Sequence, residues 1–177
     1  METDKLIILN NEKNQGKGSA LRLAKNKISN KYIVIHDADL EYFPNDFIPM
    51  FEIISKNEKS FVAGSRFLKK NPYSYFRTFL ANVIFSKLFS ILYKMKVSDV
   101  STCYKMMEAE FYKELEFKKN GFDIEIEIIS TCVAKKLNYF EVPIDYSPRS
   151  YKDGKKISLV DGFKYIYSIL DYRFKIN

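Results

Sequence analysis

Histidine and cysteine are nearly missing from this chain, and their scarcity removes whole classes of chemistry before any motif is read. Among 177 residues His36 is the single histidine, and the two cysteines, Cys103 and Cys132, stand far apart with no Cys-x-x-Cys pair. A structural zinc site and a disulfide framework are both excluded, because each needs closely spaced ligands or bridging partners. Cys103 has no histidine placed to activate it, so it reads as a packed small residue and not as a nucleophile. The thiol content points to a reducing, cytosolic setting. The opening METDKLIILNNEKN has no apolar signal core and no cleavage-like site, which predicts a protein that stays inside the cell. Internal repeats and low-complexity linkers are also missing.

What is present is enough for a sizeable core: the chain is 46% hydrophobic, the range of a globular domain. Lys and Arg number 29 against 22 Asp and Glu, a net charge of +7 that favours anionic partners. Nucleic acid, phosphorylated small molecules and an acidic membrane surface all qualify on charge. The charge is dispersed, however, and no RRM, KH or helix-turn-helix pattern accompanies it, so no nucleic-acid partner is expected.

Periodicity predicts an α/β order. Lys5 to Leu9 reads as a short strand, Ser19 to Ile28 as a helix, and Tyr32 to His36 as a strand dense in β-branched residues. Pro44 and Asp46 open a helix over Phe47 to Ser55, and Ser60 to Ala63 is the next strand. This alternation implies a mainly parallel sheet with flanking helices. A long helical stretch, Tyr73 to Val97, follows. Asn82, Ser86, Lys87 and Ser90 interrupt its apolar run, so it reads as a buried core helix or as an amphipathic helix in a membrane interface, not as a span. SDVSTCYKMM reads as a polar turn, Glu108 to Glu116 as a helix, GFDIEIEIIS with TCVAKKL as another, and Tyr139 to Tyr146 as a strand. The basic loop PRSYKDGKKIS then leads to a closing helix, Leu159 to Phe174.

The stretch YIVIHDADLEYFP carries the chemistry. Ligands of an open parallel sheet bind beyond the carboxyl ends of its strands, and Asp37 and Asp39 stand at such an end. At a strand-to-loop transition both carboxylates can turn toward one hard cation, magnesium or manganese, whose shell substrate phosphates complete. Helix capping by the same acids is the plainer alternative. NQGKGS does not fit a phosphate-binding P-loop, which requires a glycine where Asn11 stands and Ser or Thr where Gly18 stands. Its glycines instead suit a tight turn before a helix.

NQGKGSALRLAKNKISNKYIVIHDADLEYFPNDF is similar to the middle of the family 2 glycosyltransferases. GSRF, SDVSTCYKMM and EVPIDYSPRSYKDGKKISLVDGF extend the resemblance, in order, toward the bacterial polyprenyl-phosphate sugar transferases related to dolichol-phosphate mannose synthase. The resemblance implies a GT-A-like nucleotide-sugar fold and a single domain, with residues 1–72 as its donor and metal half and 73–177 as its acceptor and membrane-interface half. It implies transfer of a hexose from a nucleotide sugar of the GDP-mannose or UDP-glucose type to a polyprenyl phosphate, by inversion, with Mg2+ or Mn2+. Such an enzyme would be peripheral at the cytosolic, inner face of the membrane of the cell envelope.

Residue by residue, the resemblance implies Asp37, Asp39, Asp99 and Arg66 as the catalytic set. Asn14, Lys17 and Asp37 would face the donor, and Asp39 with Glu41 the metal. Glu41 stands where the mannose synthases carry glutamine. Arg77, Arg149, Lys155 and Lys156 would meet the acceptor phosphate. Asp99 matches a proposed base, yet a phosphate monoester is already ionised near neutral pH, so Asp99 reads better as orienting Arg149 or capping the turn at Thr102. Phe85 and Phe89 are the expected lipid-facing side chains of the long helix. The family's opening segments, Pro-x-Tyr-Asn-Glu-like and Asp-Asp-x-Ser-like, hold base and ribose and have no counterpart here. The expectation is a fragment of a longer product, a shortened reading frame, or a chain completed by another chain or oligomer. A remnant acting as a membrane- or partner-binding module is the rival reading.

Overall fold

The computed structural model describes residues 6–73, 75–149 and 159–175. The chain runs α1 (Lys17–Ala24), β1 (Tyr32–Ile35), α2 (Phe47–Lys56), β2 (Ser60–Ser65), α3 (Phe76–Tyr93), β3 (Lys105–Glu108), α4 (Ala109–Glu114), α5 (Ile124–Ala134), β4 (Asn138–Pro143) and α6 (Leu159–Lys175). Among the described residues the strands form one sheet in the order β1-β3-β2-β4. β3 is antiparallel to both neighbours and β2 is parallel to β4, so three strands share one direction and β3 opposes them.

Alternation explains how β2 organises the core. It is buried along its whole length, with Phe61 and Ala63 on one face and Val62 on the other, as the two-residue repeat of a strand dictates. The first face packs Met107, Phe111, Ile124 and Ile128 from β3, α4 and α5. The opposite face packs Met50 and Ile54 of α2 with Tyr104, Met106 and Val142. A third cluster lies away from the sheet, where Phe85, Phe89 and Tyr93 of α3 meet Ile126 and Ile129 of α5 and Tyr165 and Ile169 of α6.

Two local expectations are overturned. The turn read over SDVSTCYKMM runs into β3, one of the two inner strands, with Ile33 and Phe61 both in register with Met107. Lys105 begins that strand wholly buried, a position a lysine holds here because Glu125 of α5 receives its ammonium. The apolar run expected as a strand over Lys5 to Leu9 has no regular structure over residues 6–9, and Leu6, Ile7 and Ile8 are exposed. A strand exists by pairing, and none of the described strands pairs with this segment.

By length and composition α3 could cross a membrane, with 18 residues of mean hydropathy 1.2. In the fold one of its faces is core: Phe89 is fully buried and Phe85 nearly so, which corrects their assignment as lipid-facing residues. Phe76, Leu80, Ile84 and Ile91 of the same helix are the exposed ones.

Candidate active site

Asp37 and Asp39 leave the carboxyl end of β1, where the chain turns through Leu40 at φ 61°. The turn is closed by the Glu41 N–H, which donates to Asp39 Oδ1 at 3.2 Å. Beside it, β2 ends at Ser65 and delivers Arg66, while the segment after β4 returns over the sheet end, its Ser147 N–H donating to the Glu41 carbonyl at 2.9 Å. These ends surround a cleft of about 1000 Å3. Asp37, Asp39, Glu41, Arg66, Arg77 and Arg149 line it together, with Lys17 at its floor. Phe67, Tyr73, Phe79, Phe163 and Ile166 add apolar side chains to its lining.

Each acid meets a cation. Lys17 Nζ lies 2.7 Å from Asp37 Oδ1 and 2.6 Å from Glu125 Oε1. Burial alone would lower the Lys17 pKa, but Glu125 and Asp37 outweigh it and hold the ammonium above its ordinary value. Glu125 is shared with Lys105, so Lys105, Glu125, Lys17 and Asp37 form one chain of charges from the core to the cleft. Burial pushes the Glu125 carboxyl up, and Lys105 and Lys17 together bring it below its usual range. Arg149 Nη2 sits 2.9 Å from Asp39 Oδ2, and its Nε is 3.4 Å from Glu41 Oε1. Glu41 also accepts the Arg149 backbone N–H at 2.8 Å and the Tyr146 hydroxyl at 2.9 Å.

The glycines of NQGKG serve a close approach as well as a turn. Gly16 has φ +88°, and a Cβ there would lie 2.2 Å from the Asn120 carbonyl oxygen. At Gly18 a Cβ would lie 1.9 Å from the Lys119 carbonyl oxygen. The loop before α5 is thus pressed against the start of α1, where Gly18 N–H donates to Asn120 O at 3.2 Å. Glu127 anchors that loop by accepting the Lys118 and Lys119 N–H groups, each at 2.8 Å.

Several expected roles are relocated. Asn14 does not line the cleft; its Oδ1 accepts the Gly16 N–H at 3.0 Å and shapes the turn. Asp99 is fully buried behind Arg66 and orients that arginine, not Arg149. Arg149, expected at the acceptor, faces Asp39 and Glu41. Lys155 and Lys156 lie outside the described residues. Cys103 is buried as expected, its thiol pushed up to about 12 by burial and by Asp37. Glu125, Lys105 and Tyr146 were not singled out from sequence. An acid inside the apolar run FDIEIEI was the available signal, since a buried carboxylate demands a partner.

The donor chemistry fits a divalent ion in part. Asp37 and Asp39 present hard oxygens at the cleft, with side chains 33% and 22% exposed. Among the described residues no group of three or more His, Cys, Asp or Glu side chains converges as a closed cage. One or two carboxylates suit magnesium or manganese when a ligand's phosphates complete the shell.

The architecture is that of the GT-A glycosyltransferases. Solved structures of glucosyl-3-phosphoglycerate synthase from Mycobacterium tuberculosis superpose with a TM-score of 0.64 at 18% identity, covering 89% of this chain and 55% of that one. That structure holds Mn2+, UDP-glucose and phosphoglyceric acid. The profile of Glycosyl transferase family 2 matches residues 2–116, and the chain belongs to this family. Glycosyltransferase AglJ of Haloferax volcanii is 27% identical over 146 residues, 81% of this chain and 47% of that protein. The UDP-N-acetylglucosamine–dolichyl-phosphate N-acetylglucosaminyltransferase of Methanococcus voltae is 26% identical over 175 residues, covering 94% of this chain and 69% of that protein. The chain spans less than half the length of AglJ and 38% of the hexosyltransferase Agl6 of Haloferax volcanii.

Proposed function

We propose that this chain carries the transfer site of a glycosyltransferase that moves a hexose from a nucleotide sugar to a polyprenyl phosphate, with inversion and with a divalent cation. The observation that carries the reading is one cleft lined by Asp37, Asp39, Arg66 and Arg77 and also by the apolar side chains of Phe67, Phe79, Phe163 and Ile166. Such a mixed lining suits a diphosphate and a lipid phosphate bound side by side. The UDP-glucose and Mn2+ complexes of the mycobacterial synthase support the donor half, and the dolichyl-phosphate acceptor in the name of the Methanococcus enzyme supports the other.

Asp37 and Asp39 would hold Mg2+ or Mn2+, which when bound supplies charge to neutralise the departing nucleotide diphosphate. Arg66 is fixed at the cleft by Asp99, and Arg77 approaches from α3; guanidinium groups so placed bind phosphate oxygens and align a second anion beside the first. The acceptor phosphate needs this positioning more than it needs a base. Exposed Leu80 and Ile84 on α3 and Phe163, Tyr167 and Phe174 on α6 support docking at the cytosolic membrane face, since the two helices pack together and both line the cleft.

Calorimetric titration with UDP-glucose, GDP-mannose, UDP and GDP, with and without Mn2+, tests the donor half. Metal-dependent binding that Asp39→Ala removes is expected. A folded chain that binds none of them would leave the membrane- or partner-binding module as the better description.

A further inference from the structure

Asp39 has one oxygen committed to the backbone: Oδ1 receives the Glu41 N–H at 3.2 Å and closes the turn. The other, Oδ2, is held by Arg149 Nη2 at 2.9 Å. Each oxygen keeps a second lone pair, so a cation can join Asp39, but it then stands beside the Arg149 guanidinium and is repelled by it. We propose that Arg149 is a resident counter-ion of Asp39 and Glu41, one that a divalent cation displaces and that then engages the phosphates of the donor. The inference rests on the donor site proposed above.

The geometry keeps Arg149 nearby when its side chain lets go. Its backbone N–H is bonded to Glu41 Oε1 at 2.8 Å, and Tyr146, three residues earlier, is bonded to Glu41 Oε2 at 2.9 Å. The anchor is thus main chain, while the guanidinium is partly exposed and lines the cleft.

Charge bookkeeping gives the exchange its direction. The linked acids Asp37, Asp39, Glu41 and Glu125 carry four negative charges, and Lys17, Lys105 and Arg149 three positive ones. A divalent ion arriving alone turns this small deficit into an excess of positive charge and breaks the Arg149 pair. A nucleoside diphosphate arriving with the metal supplies the anion that both the metal and the released guanidinium need. Metal and donor therefore bind with positive coupling, each weakly alone, and the coupling runs equally in both directions. Arg149 becomes a positioning residue whose removal has opposite effects on the two ligands.

The test uses the full chain as wild type, Arg149→Gln, Arg149→Lys and Asp39→Asn, with folding checked by thermal melting. Free Mn2+ is titrated and followed by its electron paramagnetic resonance signal, and UDP and GDP are then titrated at saturating Mn2+. Arg149→Gln is expected to bind bare Mn2+ roughly five-fold more tightly, the scale of a partly exposed ion pair, and the nucleotide with Mn2+ several-fold more weakly. Arg149→Lys is expected to lie near wild type in Mn2+ affinity. The inference is overturned if Arg149→Gln leaves Mn2+ affinity unchanged or lowers both affinities while Asp39→Asn abolishes Mn2+ binding, a result that keeps the donor site. Loss of all Mn2+ and nucleotide binding in folded wild type would overturn the donor site and this inference together.

Discussion

The guanidinium of Arg66 meets the carboxylate of Asp99 fork to fork, with Nε 2.6 Å from Oδ2 and Nη2 2.7 Å from Oδ1. Asp99 is fully buried, and its Oδ2 also accepts the Arg66 backbone N–H at 3.1 Å. Both oxygens are thereby occupied, which argues for a role in holding Arg66 at the cleft. Asp99→Ala strands a buried guanidinium and is expected to lower stability by about 3–5 kcal/mol in urea denaturation. The pair Arg66→Met with Asp99→Leu is expected to cost less than Asp99→Ala alone. A double replacement as costly as the sum of its singles would show that the two residues are not coupled.

Two glycine replacements should move stability in opposite directions. Gly18→Ala drives a Cβ into the Lys119 carbonyl, backbone that cannot step aside cheaply, and is expected to destabilise by roughly 1–3 kcal/mol. Gly162 lies inside α6, where a Cβ would make an ordinary 3.6 Å contact with Phe85 Cζ. Gly162→Ala is expected to stabilise by about 0.5–1 kcal/mol through helix propensity. Thermal melts of the two variants beside wild type decide both signs.

The charge chain from Lys105 to Asp37 is expected to add to the acid resistance of the fold. Burial raises the Glu125 pKa, but Lys105 first and Lys17 second bring it below 4.5. A carboxyl depressed on folding adds stability above its unfolded value, and that stability is lost as pH falls through the folded value. The alkaline side is the reverse case: Lys17 is raised above 10.5, so its contribution persists until pH climbs past that value. Lys105→Met removes the stronger of the two cationic influences on Glu125, so its acid unfolding midpoint is expected at higher pH than that of wild type. An unchanged midpoint would show that Lys105 does not hold Glu125 ionised.

The proposed membrane docking uses the exposed side chains of α3 and α6. Phe163→Glu with Phe174→Glu, at positions 73% and 75% exposed, is expected to weaken sedimentation with anionic vesicles while leaving the melting temperature near wild type. Phe89→Glu buries a charge in the α3–α6 core and is expected to unfold the chain. Vesicle binding that survives the first pair would move the docking surface elsewhere.

Elements whose pattern is local were readable. Tyr32–Ile35 is a short β-branched run ahead of carboxylates, and Phe47–Lys56 follows a proline, so both stand within a residue of expectation. Asp37 and Asp39 were readable for the same reason: a strand end is a local event, and ligands gather there. Lys105–Glu108 was not readable. A four-residue strand with Lys at one end and Glu at the other has no strand signature, and its burial depends on Glu125, a partner on another element.

The sequence by itself determined the alternation of helices and strands, the placing of acids at the end of β1, and a glycine turn ahead of α1. These follow from side-chain period, chain direction and backbone freedom, all properties of neighbouring residues. Only the tertiary structure decided which cation faces which acid. It put Arg149 on Asp39, Asp99 on Arg66, and Lys17 between Asp37 and Glu125. It also left residues 6–9 without a strand while making Lys105 part of one. Pairing is a relation between segments far apart in the chain, and a buried charge is tolerated only where the fold brings its opposite within hydrogen-bond reach.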